Sequence, residues 1–255
     1  MVLQKMKIYV INLITSTARR ESIDRCARDT DLSVEFIDAV DGRTISSLDT
    51  LGYSTRANRK QYGRLLSAGE VGCYASHLKV ANYFLSTGDE HCVVLEDDAF
   101  FDRSFADFLN NFTANIGSLP KNLQLVNIGK SAKANLRSKK PFQAEKIALF
   151  ETYRFPTTSR GILWSKSGAK DFVKNGAVIA KPLDHYFKDW LTRTPGGYCL
   201  DEPIIRSAQF ASDIGQGTGR LELSLMEGIR HDIARGKRDL VNDYKTFVRK
   251  YFTLT

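Results

Sequence analysis

The stretch Cys92-Val93-Val94-Leu95-Glu96-Asp97-Asp98-Ala99-Phe100 joins two opposed characters. Its β-prone, apolar start predicts a buried strand, which then ends in three consecutive carboxylates. Adjacent acids repel one another, and crowding them is costly unless a cation or strong hydrogen-bond donors neutralise them. Mg²⁺ or Mn²⁺, which binds carboxylates together with phosphate oxygens, would do so. A solvated acidic turn is the alternative that this stretch leaves open.

Length and composition restrict the classes of protein. The chain has 255 residues, enough for one large α/β domain or two smaller ones, and 42% of them are hydrophobic, as in soluble globular proteins. The net charge of +8 indicates an anionic partner, which could be nucleic acid, lipid headgroups or a phosphorylated substrate. The four cysteines contain no C-x-x-C pair, so we expect reduced thiols in a cytoplasmic protein, without a zinc site or a disulfide framework. No apolar window of about 18 residues and no signal-peptide pattern occurs.

The first 42 residues predict a parallel βαβ unit. Residues 7–13 and 34–40 are β-branched and aromatic runs, and residues 18–30 between them predict a helix. Such a unit places its ligand crevice at the carboxyl ends of the strands, so we expect Asn12 and Asp41 to lie near that crevice.

Two arginines occupy the first turn of the predicted helix. Basic residues oppose the helix dipole there, so Arg19 and Arg20 are poor choices for stability alone. At a strand-to-helix junction they are typical of a phosphate site. The alternative is that they are ordinary surface arginines.

The rest of the chain predicts alternating elements. Helices are expected over 67–82, 101–112 and 165–175 and from about residue 183, and strands over 123–128, 148–155, 161–164, 197–200 and 204–210. Residues 43–66 are polar and basic and predict a mobile excursion, and residues 130–146 predict a basic loop, either ordered or disordered without ligand.

The C-terminal segment predicts a basic helix with an apolar stripe. We expect a main domain over residues 1–220 and a helical extension over 221–255. This helix either docks on the domain or serves as a membrane-surface or acceptor-recruiting tail.

Three segments together resemble glycosyltransferase family 25, the bacterial lipooligosaccharide transferases and their collagen-modifying relatives. They are Ile8-Tyr9-Val10-Ile11-Asn12-Leu13 with Arg19-Arg20, Gly69-Glu70-Val71-Gly72-Cys73-Tyr74-Ala75-Ser76-His77, and Val94-Leu95-Glu96-Asp97-Asp98. Residues 161–169 and 182–186 also resemble family segments, so the likeness spans roughly residues 7 to 215 in order. Ile162 and Trp164 stand where the family often has tyrosine and a small aliphatic residue.

The resemblance implies a fold and a reaction. The fold would be α/β of the GT-A type, a Rossmann-like mixed sheet flanked by helices, with a C-terminal helical tail. The reaction would move a hexose, galactose or glucose, from a UDP-sugar to a lipooligosaccharide acceptor with inversion at the anomeric carbon. The protein would work in the cytoplasm, either free or peripheral on the cytoplasmic face of the inner membrane.

This chemistry assigns roles to the polar residues. A divalent metal, Mn²⁺ or Mg²⁺, held by Asp98 alone or by Asp98 with Asp97, would stabilise the leaving diphosphate. Glu96 or Asp97 would accept hydrogen bonds from ribose hydroxyls, and Arg19 or Arg20 would bind phosphate. The full set predicted to bind the donor is Asn12, Arg19, Arg20, Asp41, Ser76, His77, Glu96 and Asp97.

Inversion also needs a base on the opposite face of the sugar. Asp184, just after Pro182 and remote in sequence from the acidic triplet, is the predicted base, and a helix N-cap is its alternative role. Asp201 and Asp213 are weaker candidates for the base. His77, His185 and His231 compete for a third metal position.

Two features of the sequence are compatible with other functions. The basic composition suggests a nucleic-acid-binding protein, but no zinc finger, helix-turn-helix or RNA-binding signature occurs, so we expect no nucleic-acid partner. The acidic triplet also suits a metal-dependent hydrolase of nucleotide sugars, which would release sugar without an acceptor.

Overall fold

The computed structural model describes residues 6–208 and 225–252, with side chains in the last helix from residue 228. Its helices are α1 (Thr17–Thr30), α2 (Thr55–Gln61), α3 (Ala68–Thr87), α4 (Arg103–Ala114), α5 (Lys166–Asn175), α6 (Leu183–Arg193) and α7 (Leu225–Phe252). Its strands are β1 (Lys7–Asn12), β2 (Glu35–Asp38), β3 (His91–Glu96), β4 (Ala99–Phe100), β5 (Leu125–Asn127), β6 (Phe142–Ala144), β7 (Ile147–Glu151), β8 (Gly161–Ser165), β9 (Gly197–Cys199) and β10 (Arg206–Ser207).

Eight strands form one mixed sheet in the order β2-β1-β3-β8-β5-β9-β7-β6. β1 runs parallel to both β2 and β3, which confirms the predicted βαβ unit. β8 lies antiparallel between β3 and β5. The predicted α/β class, with a mixed sheet flanked by helices and a C-terminal helix, is therefore confirmed.

Alternate residues of β3 point into two separate hydrophobic cores. Cys92 and Val94 pack on one side of the sheet with side chains of α3 and α6, and Val93 and Leu95 pack on the other side with those of α1 and α4. A strand buried on both faces has no alternation of polar residues, which is why β3 appears in the sequence as a continuous apolar run. The charged side chains follow only where the strand ends.

The expectation of a mobile excursion over 43–66 was wrong. This segment contains α2, whose cap Ser54 accepts a hydrogen bond from the backbone N–H of Ala57. Asn58 is fully buried and donates to the carbonyl of Ala180, and Tyr62 is 5% exposed. Tertiary contacts hold these residues although the segment has no continuous apolar pattern.

The basic segment over 130–146 is mostly loop, as predicted, but it is packed. The guanidinium of Arg137 lies 4.0 Å above the ring of Phe150 and pairs with Asp201. The predicted strand over 204–210 is reduced to the short β10, which pairs with β4, and residues 209–210 lie outside the described part.

The C-terminal helix docks on α6 and α2 through its polar side. The apolar stripe predicted for it faces away from the domain, with Leu240 72% exposed. Over the residues that the structure describes, no helix combines the length and apolar character needed to cross a bilayer. All four cysteines are unpaired.

Candidate active site

A pocket opens where the carboxyl ends of β1 and β3 meet the amino-terminal half of α3. Ile11 of β1 lies opposite Glu96 of β3, so the polypeptide leaves both strands side by side. The loop after β2, residues 39–43, forms the opposite wall. Seven predicted site residues line this one pocket: Arg19, Asp41, Ser76, His77, Glu96, Asp97 and Asp98.

Close packing of α3 against the loop after β2 builds one wall. A Cβ on Gly72 would lie 2.5 Å from the carbonyl oxygen of Val40, and a Cβ on Gly42 would collide with the carbonyl of Ala68. The hydroxyl of Ser76 accepts a hydrogen bond from the N–H of Val40 at 2.8 Å. Glycine and serine at these positions therefore place the wall, whatever else Ser76 contacts.

Asp97 is held in a fixed orientation by two donors. Nδ2 of Asn12 donates to its Oδ2 at 2.8 Å, and Nη1 of Arg19 donates to its Oδ1 at 2.8 Å. Asp97 is 7% exposed, so these are largely desolvated, charge-assisted contacts. Asn12 is buried at the end of β1, so it contributes to the pocket by orienting Asp97.

Asp98 pairs with Arg160, which lies in the loop immediately before β8. Nε and Nη2 of Arg160 donate to its two oxygens at 3.1 and 3.2 Å. Burial nevertheless raises the pKa of Asp98, and the negative charge of Glu96 adds to that effect against Arg160. Added positive charge beside Asp98 would stabilise its ionised form, which is a setting that favours a bound cation.

Glu96 forms a compact cluster with two residues of α3. Its Oε1 lies 3.4 Å from Nε2 of His77 and accepts a weak hydrogen bond from Sγ of Cys73 at 3.8 Å. Burial alone would raise the pKa of Glu96, but contacts with His77, Ser159 and Arg160 outweigh it, so the pKa is lowered.

The same three residues offer one sulfur, one nitrogen and one oxygen ligand within 4.8 Å of one another. This cluster could hold a metal ion, although burial raises the pKa of the Cys73 thiol well above its ordinary value. A metal there would first have to displace the thiol proton. Hard, oxygen-preferring cations suit the neighbouring aspartates better.

Asp41 belongs to the pocket wall but already has a partner. Nε of Arg43 donates to its Oδ1 at 2.7 Å and Nη2 donates to its Oδ2 at 2.8 Å. This hydrogen bonding lowers the pKa of Asp41. Arg43 therefore brings a cation to the pocket rim, a residue that the sequence analysis did not single out.

Arg20 and Asp184 lie away from the lining of this pocket among the described residues. The guanidinium of Arg20 stacks 3.9 Å above the ring of Phe36, so its predicted contact with phosphate stays a prediction. Asp184 is the second residue of α6, after Pro182 at the cap position, and accepts a hydrogen bond from the N–H of His185. Burial is the main cause of the raised pKa of Cys73, and the negative charge of Asp184 contributes to it.

Sequence reasoning missed Arg160 and Cys73. Arg160 immediately precedes β8, and the carbonyl of Arg160 accepts a hydrogen bond from the N–H of Glu96 at 3.0 Å. Its only sequence signal was a basic residue before a strand, and the antiparallel pairing of β8 with β3 was not predictable from that. Cys73, one helical turn before His77, had a usable signal because residues four apart share a helix face.

A larger cavity, about 630 Å³, lies at the opposite edge of the sheet, near the amino ends of β1 and β2. Its lining includes Asp31, Glu35 and Arg103 but none of the carboxylate clusters described above. Ligands of open α/β sheets bind at the carboxyl ends of the strands. Charge and topology therefore both favour the pocket at Asp97 and Asp98.

The fold is that of an α/β protein with an acidic pocket at the carboxyl ends of parallel strands, and the sequence comparison gives the family. The model of glycosyltransferase family 25 (LPS biosynthesis protein) matches residues 5–187, and the chain belongs to that family. Among its relatives, procollagen galactosyltransferase 2 of Homo sapiens is 30% identical over 195 residues, or 74% of this chain and 31% of that protein. Procollagen galactosyltransferase 1 of Danio rerio is 30% identical over 128 residues, or 49% of this chain and 21% of that protein.

The family also contains proteins named as inactive. A probable inactive glycosyltransferase 25 family member 3 of Bos taurus is 34% identical over 103 residues, or 39% of this chain and 17% of that protein. The alignments with these relatives cover under a third of their length, so their activities do not transfer with the name. A solved glycosyltransferase involved in glycosylation of the major capsid of PBCV-1 has a TM-score of 0.43 and 9% identity, covering 91% of this chain and 100% of that one.

Proposed function

We propose that this chain is an inverting glycosyltransferase that moves a hexose, galactose or glucose, from a UDP-sugar to a lipooligosaccharide or related oligosaccharide acceptor. The observation that carries the proposal is the excess of carboxylates at the end of β3, beside two arginines in a pocket at the carboxyl ends of parallel strands. The family match over residues 5–187 supports it.

The donor's diphosphate would lie at Asp97, Asp98 and Arg19. Arg19 donates a charge-assisted hydrogen bond to Asp97, and turning toward phosphate would exchange that bond for one to the phosphate. Arg43 at the rim adds a second cation. Glu96, ionised because its pKa is lowered, is suited to accept hydrogen bonds from ribose hydroxyls.

The pocket fits a divalent metal, Mn²⁺ or Mg²⁺. Asp98 is the better ligand because each oxygen of Asp97 already accepts a strong hydrogen bond, whereas Asp98 is held by two longer ones. The raised pKa of Asp98 is the electrostatic sign that added positive charge would stabilise its ionised form. When bound, the metal supplies charge stabilisation for the leaving diphosphate.

Asp184 is the proposed base that removes the proton from the acceptor hydroxyl. It is half-buried at the start of α6, outside the lining of the pocket that holds the acidic triplet. An inverting transfer needs this separation because acceptor and leaving group occupy opposite faces of the sugar. The acceptor would be membrane-borne, reached by an enzyme in the cytoplasm at the inner membrane.

Two variants separate donor binding from proton removal. We expect Asp98→Asn to weaken Mn²⁺-dependent binding of UDP and to lower kcat by at least about a hundredfold. We expect Asp184→Asn to bind UDP normally while kcat falls by about a hundredfold or more. Calorimetric titration with UDP, with and without Mn²⁺, and a transfer assay over a panel of UDP-sugars measure both effects.

Asp107→Asn, an exposed acid on α4, is the control and should match the parent chain in both assays. Substantial turnover by the Asp184 variant would remove Asp184 as the base. Release of free sugar at the same rate with and without acceptor would favour a hydrolase instead.

A further inference from the structure

Helix α7 packs on the domain with the side that is polar. Arg238 donates to the carbonyl of Gln61 at 2.6 Å, and Asn242 donates to Asp189 at 2.7 Å. Arg249 donates to the carbonyl of Leu191 at 2.7 Å and to Glu151 at 2.8 Å. These partners satisfy buried polar groups and fix the helix in one rotation about its axis.

The outward side of α7 is apolar. Six large side chains, each between 46% and 72% exposed, lie along one side of the helix in two groups separated by the turn of Gly236 and Lys237. We name this row the apolar stripe: Ile229, Ile233, Leu240, Tyr244, Phe247 and Tyr251. At about 100° per residue, this row lies roughly opposite the docked face. A water-facing helix normally has the reverse arrangement, so the stripe has the composition of a contact surface.

The charges beside the stripe are sorted by sign. Asp239 and Asp243 point toward cations of the domain, where they pair with Lys188 and Arg154. Arg230, Lys237 and Lys245 are exposed toward the other flank of the stripe. Two acids of the helix are thus paired with cations of the domain while Asp232 is exposed, and the flank that carries Arg230, Lys237 and Lys245 is positive.

Size and chemistry favour a lipid surface over a second copy of the chain. The stripe runs for about 33 Å along the helix axis, far longer than one side-chain pocket. Two tyrosines, with apolar rings and polar tips, suit the boundary between headgroups and acyl chains. A second copy would bring another +8 chain and the same basic flank against this one.

We propose that α7 lies in the surface of an anionic bilayer, with the apolar stripe inserted among the acyl chains and its basic flank on lipid phosphates. Tyr62 connects this helix to the candidate base. Arg238 of α7 lies 4.7 Å from the Tyr62 ring centroid, and the ring of His185, next to Asp184, packs 5.3 Å from the same ring. The membrane would therefore adjoin the acceptor side of the pocket, a consequence that rests on the proposed function, whereas bilayer binding itself does not.

Vesicle flotation of the full chain tests the proposal. The parent chain should float with phosphatidylglycerol-containing vesicles and much less with pure phosphatidylcholine. Leu240→Ser combined with Phe247→Ser should lower the partition coefficient by at least about tenfold, because two exposed anchors are lost. Lys237→Glu with Lys245→Glu should cause a similar loss and reduce the sensitivity of binding to salt.

The control changes two exposed apolar residues elsewhere, Ile116→Ser with Val178→Ser, which should leave flotation unchanged. Equal flotation of the stripe variant and this control would overturn the proposal. So would a mass of twice 28.7 kDa by light scattering without lipid that falls to the monomer in the stripe variant, since that would assign the stripe to a dimer. Vesicle binding with no transfer activity would leave this inference standing and count against the proposed function.

Discussion

The pocket and the junction between α6 and α7 both bury charged groups, but they treat them differently. At the junction, Nζ of Lys181 lies 2.8 Å from Asp189, whose other oxygen accepts from Asn242 at 2.7 Å. Burial would raise the pKa of Asp189, but these partners outweigh it and the pKa is lowered. In the pocket, Asp98 has an arginine partner and its pKa is still raised by burial.

The difference separates a structural ion pair from a candidate functional one. Asp189 and its partners balance in charge, so nothing further is needed to stabilise the ionised acid. Asp98 lies beside Glu96 and faces a cavity, and its arginine partner does not outweigh the effect of burial. A buried acid is therefore informative about function when its partners do not offset its burial and there is space for a ligand.

The largest expected effect on stability belongs to the junction. Asp189→Ala leaves the ammonium of Lys181 buried without its carboxylate and should lower the free energy of unfolding by about 3–5 kcal/mol. Urea unfolding measures this change. The folded fraction should still bind UDP, because no pocket residue contacts this pair among those described.

Asp239→Ala is the matched control, since its contact with Lys188 is 3.7 Å long and its side chain is 44% exposed. That change should cost less than about 1 kcal/mol. Similar, small losses in both variants would mean that the junction is not the tightly coupled pair described here.

The sequence contained the parallel half of the sheet and most of the pocket. Apolar runs at residues 7–13 and 92–95 each predicted a strand, and Arg19, Asp41 and the acidic triplet were predicted to bind the donor and its metal. Their contacts were not predictable. Arg160 pairs with Asp98 because β8 inserts antiparallel beside β3, a long-range pairing that no local pattern records.

In the C-terminal helix, the sequence revealed the apolar side but not its orientation. Its apolar stripe was visible in the sequence, but which side would face the domain was not. Hydrophobic periodicity normally identifies the buried face, and here polar contacts from Arg238, Asn242 and Arg249 decide the orientation instead. The missed α2 has the same cause, since its burial depends on partners remote in sequence such as Ala180.

A medium effect is expected at the pocket wall. In Gly72→Ala the new Cβ must push the Val40 carbonyl away, which should lower the free energy of unfolding by about 1–3 kcal/mol. The displaced loop carries Asp41 and Arg43, so UDP binding by calorimetry should weaken as well. Gly236→Ala, where nothing lies within 4 Å, should instead stabilise α7 by up to about 1 kcal/mol. A Gly72 variant with normal stability and normal UDP binding would show that the wall is more adaptable than its packing indicates.

The smallest effect is a difference in how stability depends on pH. Because the pKa of Asp98 is raised, its contribution to stability is complete below its ordinary value of 3.8 and is lost as the pH rises through the folded-state pKa. The parent chain should therefore gain stability relative to Asp98→Asn as the pH falls toward 4, by no more than about 1.4 kcal/mol per pH unit.

The pKa of Asp189 is lowered, so its contribution is present above 3.8 and is lost as the pH falls through the folded-state pKa. Below pH 3.8 the parent chain should accordingly lose stability relative to Asp189→Asn. Urea unfolding of the three proteins at several pH values above and below 3.8 measures the stability difference between the parent chain and each variant. As the pH falls, this difference should increase for Asp98→Asn and decrease for Asp189→Asn, and changes of the same sign would contradict the comparison of pocket and junction.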